Sequence, residues 1–168
     1  IVRPWSTRFG REKMWGRICD YMTFYLSAAW ALLVLAKAKD VLIVKTDPPL
    51  ISVVAGVVAK CRGALVCNWT QDLFPEVAQA LEFGGNDWIQ TVLRKLRNWS
   101  LRTAKCNVAI GEHMARKLFE EGVPREAITV IHNWADGDSI RPLAREENSL
   151  RKAWGLERSF VVGYSGNF

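Results

Sequence analysis

The sequence predicts an α/β fold, a Rossmann-like parallel sheet with helices on both faces. Three observations predict it. Short apolar runs recur, VLIVK at 41–45, ALVCNW at 64–69, NVAIG at 107–111 and AITVIHN at 127–133, and strands covered by other elements read as such unbroken runs. Helical stretches of about ten residues or more separate them, and that alternation specifies crossover connections between parallel strands. Pro48, Pro49, Gly63 and Gly122 punctuate the pattern where an element must stop.

The 168 residues suffice for one domain with a substantial core, or for one domain and the start of another. Apolar residues make up 49% and charged residues 24%, a composition that folds rather than one that stays disordered. Cys19, Cys61, Cys67 and Cys106 form no CxxC pair and no cluster with His113 or His132, so no metal site and no redox motif is expected. Cys67 and Cys106 sit in apolar stretches as reduced core residues, which suits a cytoplasmic setting. The sequence opens at Ile1 without Met and ends in a glycine-bearing turn after a strand-like run. It is expected to be a fragment cut at both ends.

In order along the chain, residues 21–36 run without a charge, between the length of a core helix and that of a spanning one. Two readings follow, a helix packed into the protein or one lying in the cytoplasmic leaflet with Trp15, Tyr21, Tyr25 and Trp30 at interface depth. After the strand at 41–45 the turn TDPPL leads to a small-residue helix at 51–61, broken by Arg62 and Gly63. The strand at 64–69 enters the polar loop TQDLFPE, and FGGND at 83–87 turns into a helix that Asp87 can cap. In that helix Trp88, Ile89, Val92, Leu93, Leu96 and Trp99 form an apolar stripe for docking on the sheet. A short helix at 111–122 turns Met114, Leu118 and Phe119 inward and stops at Gly122. Residues 134–150 have linker composition, and SFVVGYSGNF at 159–168 is a fifth strand entering a glycine turn.

Charge is concentrated rather than spread. Residues 1–45 carry eight cationic against three anionic side chains, and residues 88–117 carry seven against one. Arg94, Lys95, Arg97 and Arg102 lie largely off the apolar stripe of the second segment, as a solvated back or as a contact for an acidic surface, phospholipid or pyrophosphate. Nucleic acid is set aside as a partner, because most of the aromatic residues sit in apolar stripes and no recognition motif is present.

Ligands of parallel sheets bind beyond the carboxyl ends of the strands, which directs attention to the loops at 46–50, 70–76, 111–113, 133–138 and 164–168. Gln71, Asp72 and Glu76 follow an apolar strand, and an Asp there can accept hydrogen bonds from sugar hydroxyls, take a proton in group transfer, or merely cap the next turn. Gly163 and Gly166 allow close approach of backbone N–H groups to a phosphate, although a lone GxxG is more often only a turn. Dinucleotide and P-loop fingerprints are absent. His113 reads as a solvated polar residue and His132 as a histidine at the sheet edge, and neither has triad partners at readable spacing.

WTQDLFPE at 69–76, VIHNWADGDSIRP at 130–142 and VVGYSGNF at 161–168, in that order and spacing, resemble the GT4-type glycosyltransferases of the GT-B fold. The closest likeness is to the bacterial branch that builds O-antigen, capsule and colanic acid, the WcaI and WbuB type. The resemblance implies two facing Rossmann-like domains, an N-terminal one for the acceptor and a C-terminal one for a nucleotide-diphosphate sugar, with retention of configuration and no required metal or other cofactor. Residues 1–133 would then be the acceptor-side domain without its first strand, 134–158 a linker, and 159–168 the start of the donor domain. Gln71 and Asp72 occupy the place of a His-Asp pair that faces the sugar. Thr46, Asp47, Glu76 and His113 fall on acceptor-side loops, Asn133, Trp134 and Asp136 on the exit hinge, and Gly166 and Asn167 on the first donor-phosphate loop.

The expected function is therefore transfer of a sugar from its nucleotide to a polyprenyl-pyrophosphate-linked saccharide. It would take place in the cytoplasm, on the inner face of the plasma membrane, with anionic lipid as a further partner, and the fragment alone would be inactive. Two alternatives stand beside it. A sugar-nucleotide epimerase of the same general fold would have no use for the apolar helix. A non-enzymatic module docking on membranes through Arg94, Lys95, Arg97 and Arg102 would need no nucleotide-binding loops.

Overall fold

The computed structural model describes residues 1–10, 14–74 and 87–164. The chain divides into two compact units, Ile1–His132 and Asn133–Phe168. In the first, helix α1 (Met14–Leu35) precedes strand β1 (Val41–Lys45), then α2 (Ile51–Arg62), β2 (Leu65–Thr70), α3 (Asp87–Thr103), β3 (Cys106–Ala109), α4 (Glu112–Glu120), a 3-10 turn at Arg125–Ala127 and β4 (Ile128–Val130). All pairings are parallel, in the order β1-β2-β3-β4. This is the Rossmann-like α/β class that the alternating pattern predicts.

Register decides which side chains share a face. Val44 pairs with Asn68, and Asn68 with Asn107, so Leu42, Val44, Val66, Asn68, Thr70, Asn107 and Ala109 point to one side. Ala55 and Ala59 of α2 close on Val44 and Val66, while Leu101 of α3 and Leu118 of α4 close on Ala109. Crossovers of one hand along a sheet that grows in one direction bring these three helices to the same side. Val41, Ile43 and Leu65, on the other side, are exposed. Gly56 makes the contact between α2 and α3 close, since a Cβ there would lie 3.2 Å from the Trp99 ring.

Two buried carboxamides cross the ladder. Asn68 Nδ2 donates to Asn107 Oδ1 at 2.9 Å, and Asn107 Nδ2 donates to the carbonyls of Leu101 at 2.9 Å and Ala127 at 3.3 Å. One side chain thereby ties β2, β3, α3 and the start of β4 together, and both residues are wholly buried. Asn68 is thus a polar exception in a strand otherwise read as apolar.

Several elements turn differently from expectation. In α1 the packed-helix reading holds for a narrow line only: Ala28 is buried and Leu32 packs against the Val44–Ala55 cluster. Leu26, Trp30 and Val34 are 67%, 70% and 61% exposed. Its segment Trp15–Leu35 is, among the described residues, the one helix long and apolar enough to cross a membrane. In α3 most of the expected inward stripe faces out, with Trp88, Ile89, Val92 and Leu96 exposed; Leu93 and Trp99 are half-buried, and Gln90, Arg97, Ser100 and Leu101 turn in. The cause lies on α4: Glu121, just past its end, pairs with Arg97 at 3.6 Å and accepts from Asn98 at 2.8 Å, so a guanidinium can be buried with its charge balanced.

Phe119 is half exposed, with the Arg125 guanidinium 5.2 Å from its ring centre. Neighbouring helical positions point about 100° apart, and Leu118, fully buried, takes the inward one. Gly122 stops α4 at φ +85°, where a Cβ would meet the Arg102 guanidinium at 2.8 Å.

In the second unit Asp136 accepts from the N–H groups of Asp138 and Ser139 and from the Ser139 hydroxyl, which hold its carboxyl below the usual range, the hydroxyl foremost. A 3-10 turn at Arg145–Glu147 and helix α5 (Ser149–Ala153), capped by Asn148, follow. Residues 160–164, expected as a fifth strand, are irregular and have no ladder partner among the described residues.

Asn107→Ala would leave the Leu101 carbonyl and the Asn68 amide without their partner, at about 1–3 kcal/mol for each buried group. A thermal melt should show a drop of about 2–4 °C for each kcal/mol lost, larger than that of Asn148→Ala in the other unit.

Candidate active site

The loops after β1 and β2 meet at the carboxyl edge of the sheet. The Thr46 N–H donates to the Trp69 carbonyl at 3.2 Å, which extends the ladder by one bond beyond the last pair. The Thr46 hydroxyl accepts from the Gln71 N–H at 3.0 Å and donates to Asp72 Oδ1 at 3.3 Å. A single hydroxyl thus sets both residues of the Gln71-Asp72 pair. Two anchors hold the loop itself: the buried Thr70 hydroxyl bonds the Val108 carbonyl at 2.6 Å and meets Met114 Sδ at 3.2 Å, and Leu73 packs on the Leu101–Leu118 cluster. Pinned on both sides, the loop presents Asp72 outward, where it is exposed.

On the β1 side Asp47 follows Thr46, and the 46–50 loop is tied to α1 by the Tyr25 hydroxyl, which donates to the Pro49 carbonyl. Burial, then the nearby Tyr21 and Asp47, push the Tyr25 phenol up to about 12, so it stays a donor at neutral pH. Two strands across, His113 stands exposed on the first turn of α4 after Gly111. His132 is the residue that sequence reasoning underused: a ring nitrogen lies 3.2 Å from the Ile110 carbonyl and joins the ends of β3 and β4.

The structure therefore brings Thr46, Gln71 and Asp72 into contact, with Asp47 next in the chain to Thr46, while His113 stands on the first turn of α4. Glu76, Gly166 and Asn167 lie outside the described residues. Of the four cations expected on one outward face, Lys95 is exposed and Arg94 half-buried. Arg97 is buried against Glu121, and both Arg102 nitrogens Nε and Nη2 donate to the Glu121 carbonyl at 2.9 and 2.6 Å. Arg97 and Arg102 thus belong to the α3–α4 joint rather than to a docking face. Glu121 was visible in the sequence, but its distance along the chain hid the pairing. Among the described residues no group of three or more His, Cys, Asp or Glu is placed to hold a metal ion.

Fold and rim together define a Rossmann-like α/β domain that offers a carboxylate, an amide and a hydroxyl at the carboxyl edge of a parallel sheet, the position where such sheets take ligands. The profile of the glycosyl transferase 4-like domain matches residues 2–134. The chain belongs to that family, and the domain is one of glycosyl transfer. No curated protein and no solved structure matches it.

Cys67 and Cys106 are register partners on β2 and β3, and burial, then Cys106, pushes the Cys67 thiol up to about 11. Because the thiolate is the nucleophile, iodoacetamide at pH 8 should label the exposed Cys19 and Cys61 well before Cys67, as read by peptide mass spectrometry.

Proposed function

We propose that this domain is the acceptor side of a retaining glycosyltransferase that moves a sugar from a nucleotide-diphosphate donor to a lipid-linked saccharide in cell-surface polysaccharide assembly, in the WcaI and WbuB-like branch. The observation that carries the transfer reading is the Thr46–Gln71–Asp72 contact at the rim of a domain of this family. In this reading Asp72 accepts a hydrogen bond from a sugar hydroxyl as charge shifts at the reacting centre, or takes its proton. Gln71, with one amide donor pair and one acceptor, orients a neighbouring hydroxyl, and Thr46 keeps both in place.

The exposed apolar surface of α1 supports a membrane-side acceptor. Trp15, Leu26, Trp30 and Val34 are open on a helix with Arg17 before its uncharged run and Lys37 and Lys39 after it, all exposed. Such a helix rests in the headgroup layer by apolar burial and by attraction to anionic lipid. Trp88 and Val92 of α3, with Lys95, add to the same chemistry.

Asp72→Asn in the full-length protein should lower kcat about 10²–10⁴-fold with little change in the acceptor KM, measured by release of nucleotide diphosphate. Wild-type turnover would remove Asp72 from the chemistry. Vesicles containing phosphatidylglycerol should sediment the protein at low salt and release it as salt rises. Trp30→Glu should weaken that partition about tenfold or more, and failure to bind the anionic vesicles at low salt would count against the membrane reading alone.

A further inference from the structure

Two of the four cysteines meet on the side of the sheet away from α2, α3 and α4. Cys67 of β2 and Cys106 of β3 are register partners, and the alternation that turns Asn68 and Asn107 under the helices turns these two the other way. Both are half-buried, and Ile43, the residue paired with Cys67 on β1, is exposed. Among the described residues the row Ile43, Cys67, Cys106 is therefore open to small reagents.

The arrangement is that of a dithiol. Neighbouring strands lie about 4.8 Å apart, within the Cα separation of about 4.4–6.8 Å that a disulfide spans. The two thiols are hydrogen-bonded to each other, and Cys106 Sγ donates to Thr129 Oγ1 on β4 at 3.8 Å. The Cys106 sulfur thus stands between two groups able to donate to it once it is ionised, the Cys67 thiol and the Thr129 hydroxyl. Cys67 is placed differently. Burial, then Cys106, pushes its thiol up to about 11, so it keeps its proton at neutral pH and the opening attack falls to Cys106. Two sulfurs are too few for a zinc site, and no group of three or more possible ligands stands among the described residues.

We propose that Cys67 and Cys106 are a reversible modification site, closed to a cross-strand disulfide by a small disulfide such as oxidised glutathione. In the first step the Cys106 thiolate attacks one sulfur of the reagent, a mixed disulfide forms, and one glutathione leaves with the proton that Cys106 gave up. In the second step Cys67 loses its proton, its sulfur attacks that of Cys106, and the second glutathione leaves as a thiol. Two protein thiols are oxidised and one reagent disulfide is reduced to two thiols, with no other co-reactant. Excess reduced glutathione runs the steps backwards, the behaviour of a transient disulfide in a reducing compartment.

The site does not depend on the transferase reading. Its bond would lie beside the Asn68–Asn107 pair on the opposite face of the same two strands, and would tie covalently what the carboxamides tie by hydrogen bonding.

The test exposes the protein to oxidised glutathione at pH 8, blocks the remaining thiols with N-ethylmaleimide in denaturant, and maps them by peptide mass spectrometry without reduction. A Cys67–Cys106 linked peptide pair is expected, abolished by dithiothreitol, both in the wild type and in Cys19→Ser/Cys61→Ser, which removes the two exposed thiols. In Cys67→Ser, Cys106 should keep glutathione as a stable mixed disulfide. In Cys106→Ser, Cys67 should take up glutathione about tenfold more slowly than that. The wild-type map needs no variant, so the linked pair can be read even where a substitution disturbs the fold. Full blocking of both cysteines by N-ethylmaleimide, separate glutathione adducts on both in the wild type, or linkage of either one to Cys19 or Cys61 in its place would each overturn the site. Uptake at Cys67 as fast as at Cys106 would overturn the order of attack.

Discussion

Asn68 and Asn107 face each other across β2 and β3, sealed beneath α3, and everything at the rim depends on their meeting. A parallel ladder can slip, and a shift of one residue would turn every side chain of a strand to the other face. An apolar core alone resists such a slip only through shape. A carboxamide pair resists it chemically, because in any other register each amide would be buried without its partner. With β2 and β3 locked, Thr70 reaches the Val108 carbonyl, and the loop that follows leaves the sheet at a determined height. Asp72 then lands within reach of Thr46 on the next strand over.

The strands and their order of appearance are legible in the residues, because β-branched runs bounded by proline and glycine leave little else for the backbone to do. The rim residues Thr46, Gln71 and Asp72 are legible for a related reason: they are polar groups placed directly after apolar strands. What periodicity cannot report is the partner of each helix face. The stripe of α3 has the spacing of a sheet-docking surface, yet Trp88, Ile89, Val92 and Leu96 of it are exposed. Glu121 supplies the counter-charge that lets Arg97 occupy the inner face.

The same limit applies to α1. Sixteen uncharged residues look uniform as a string, but Thr23 and Ser27 fall on one line with Asp20 and become the seat of the arm that precedes the helix. Short polar side chains inside an apolar run carry information only once the neighbouring segment is known. Phe119 illustrates a plainer rule. Neighbouring helical positions point about 100° apart, and here Leu118 takes the inward one while Phe119 is left half exposed.

Tyr25 spends its hydroxyl on the carbonyl of Pro49, so the turn carrying Asp47 and the long apolar helix are mechanically one piece. If that helix floats in a headgroup layer, its depth of immersion is handed directly to the 46–50 loop. A change in lipid packing that lifted or sank the helix would raise or lower Thr46 and Asp72 with it, and the bilayer itself would act as the gauge that sets how far a membrane-tethered substrate must reach.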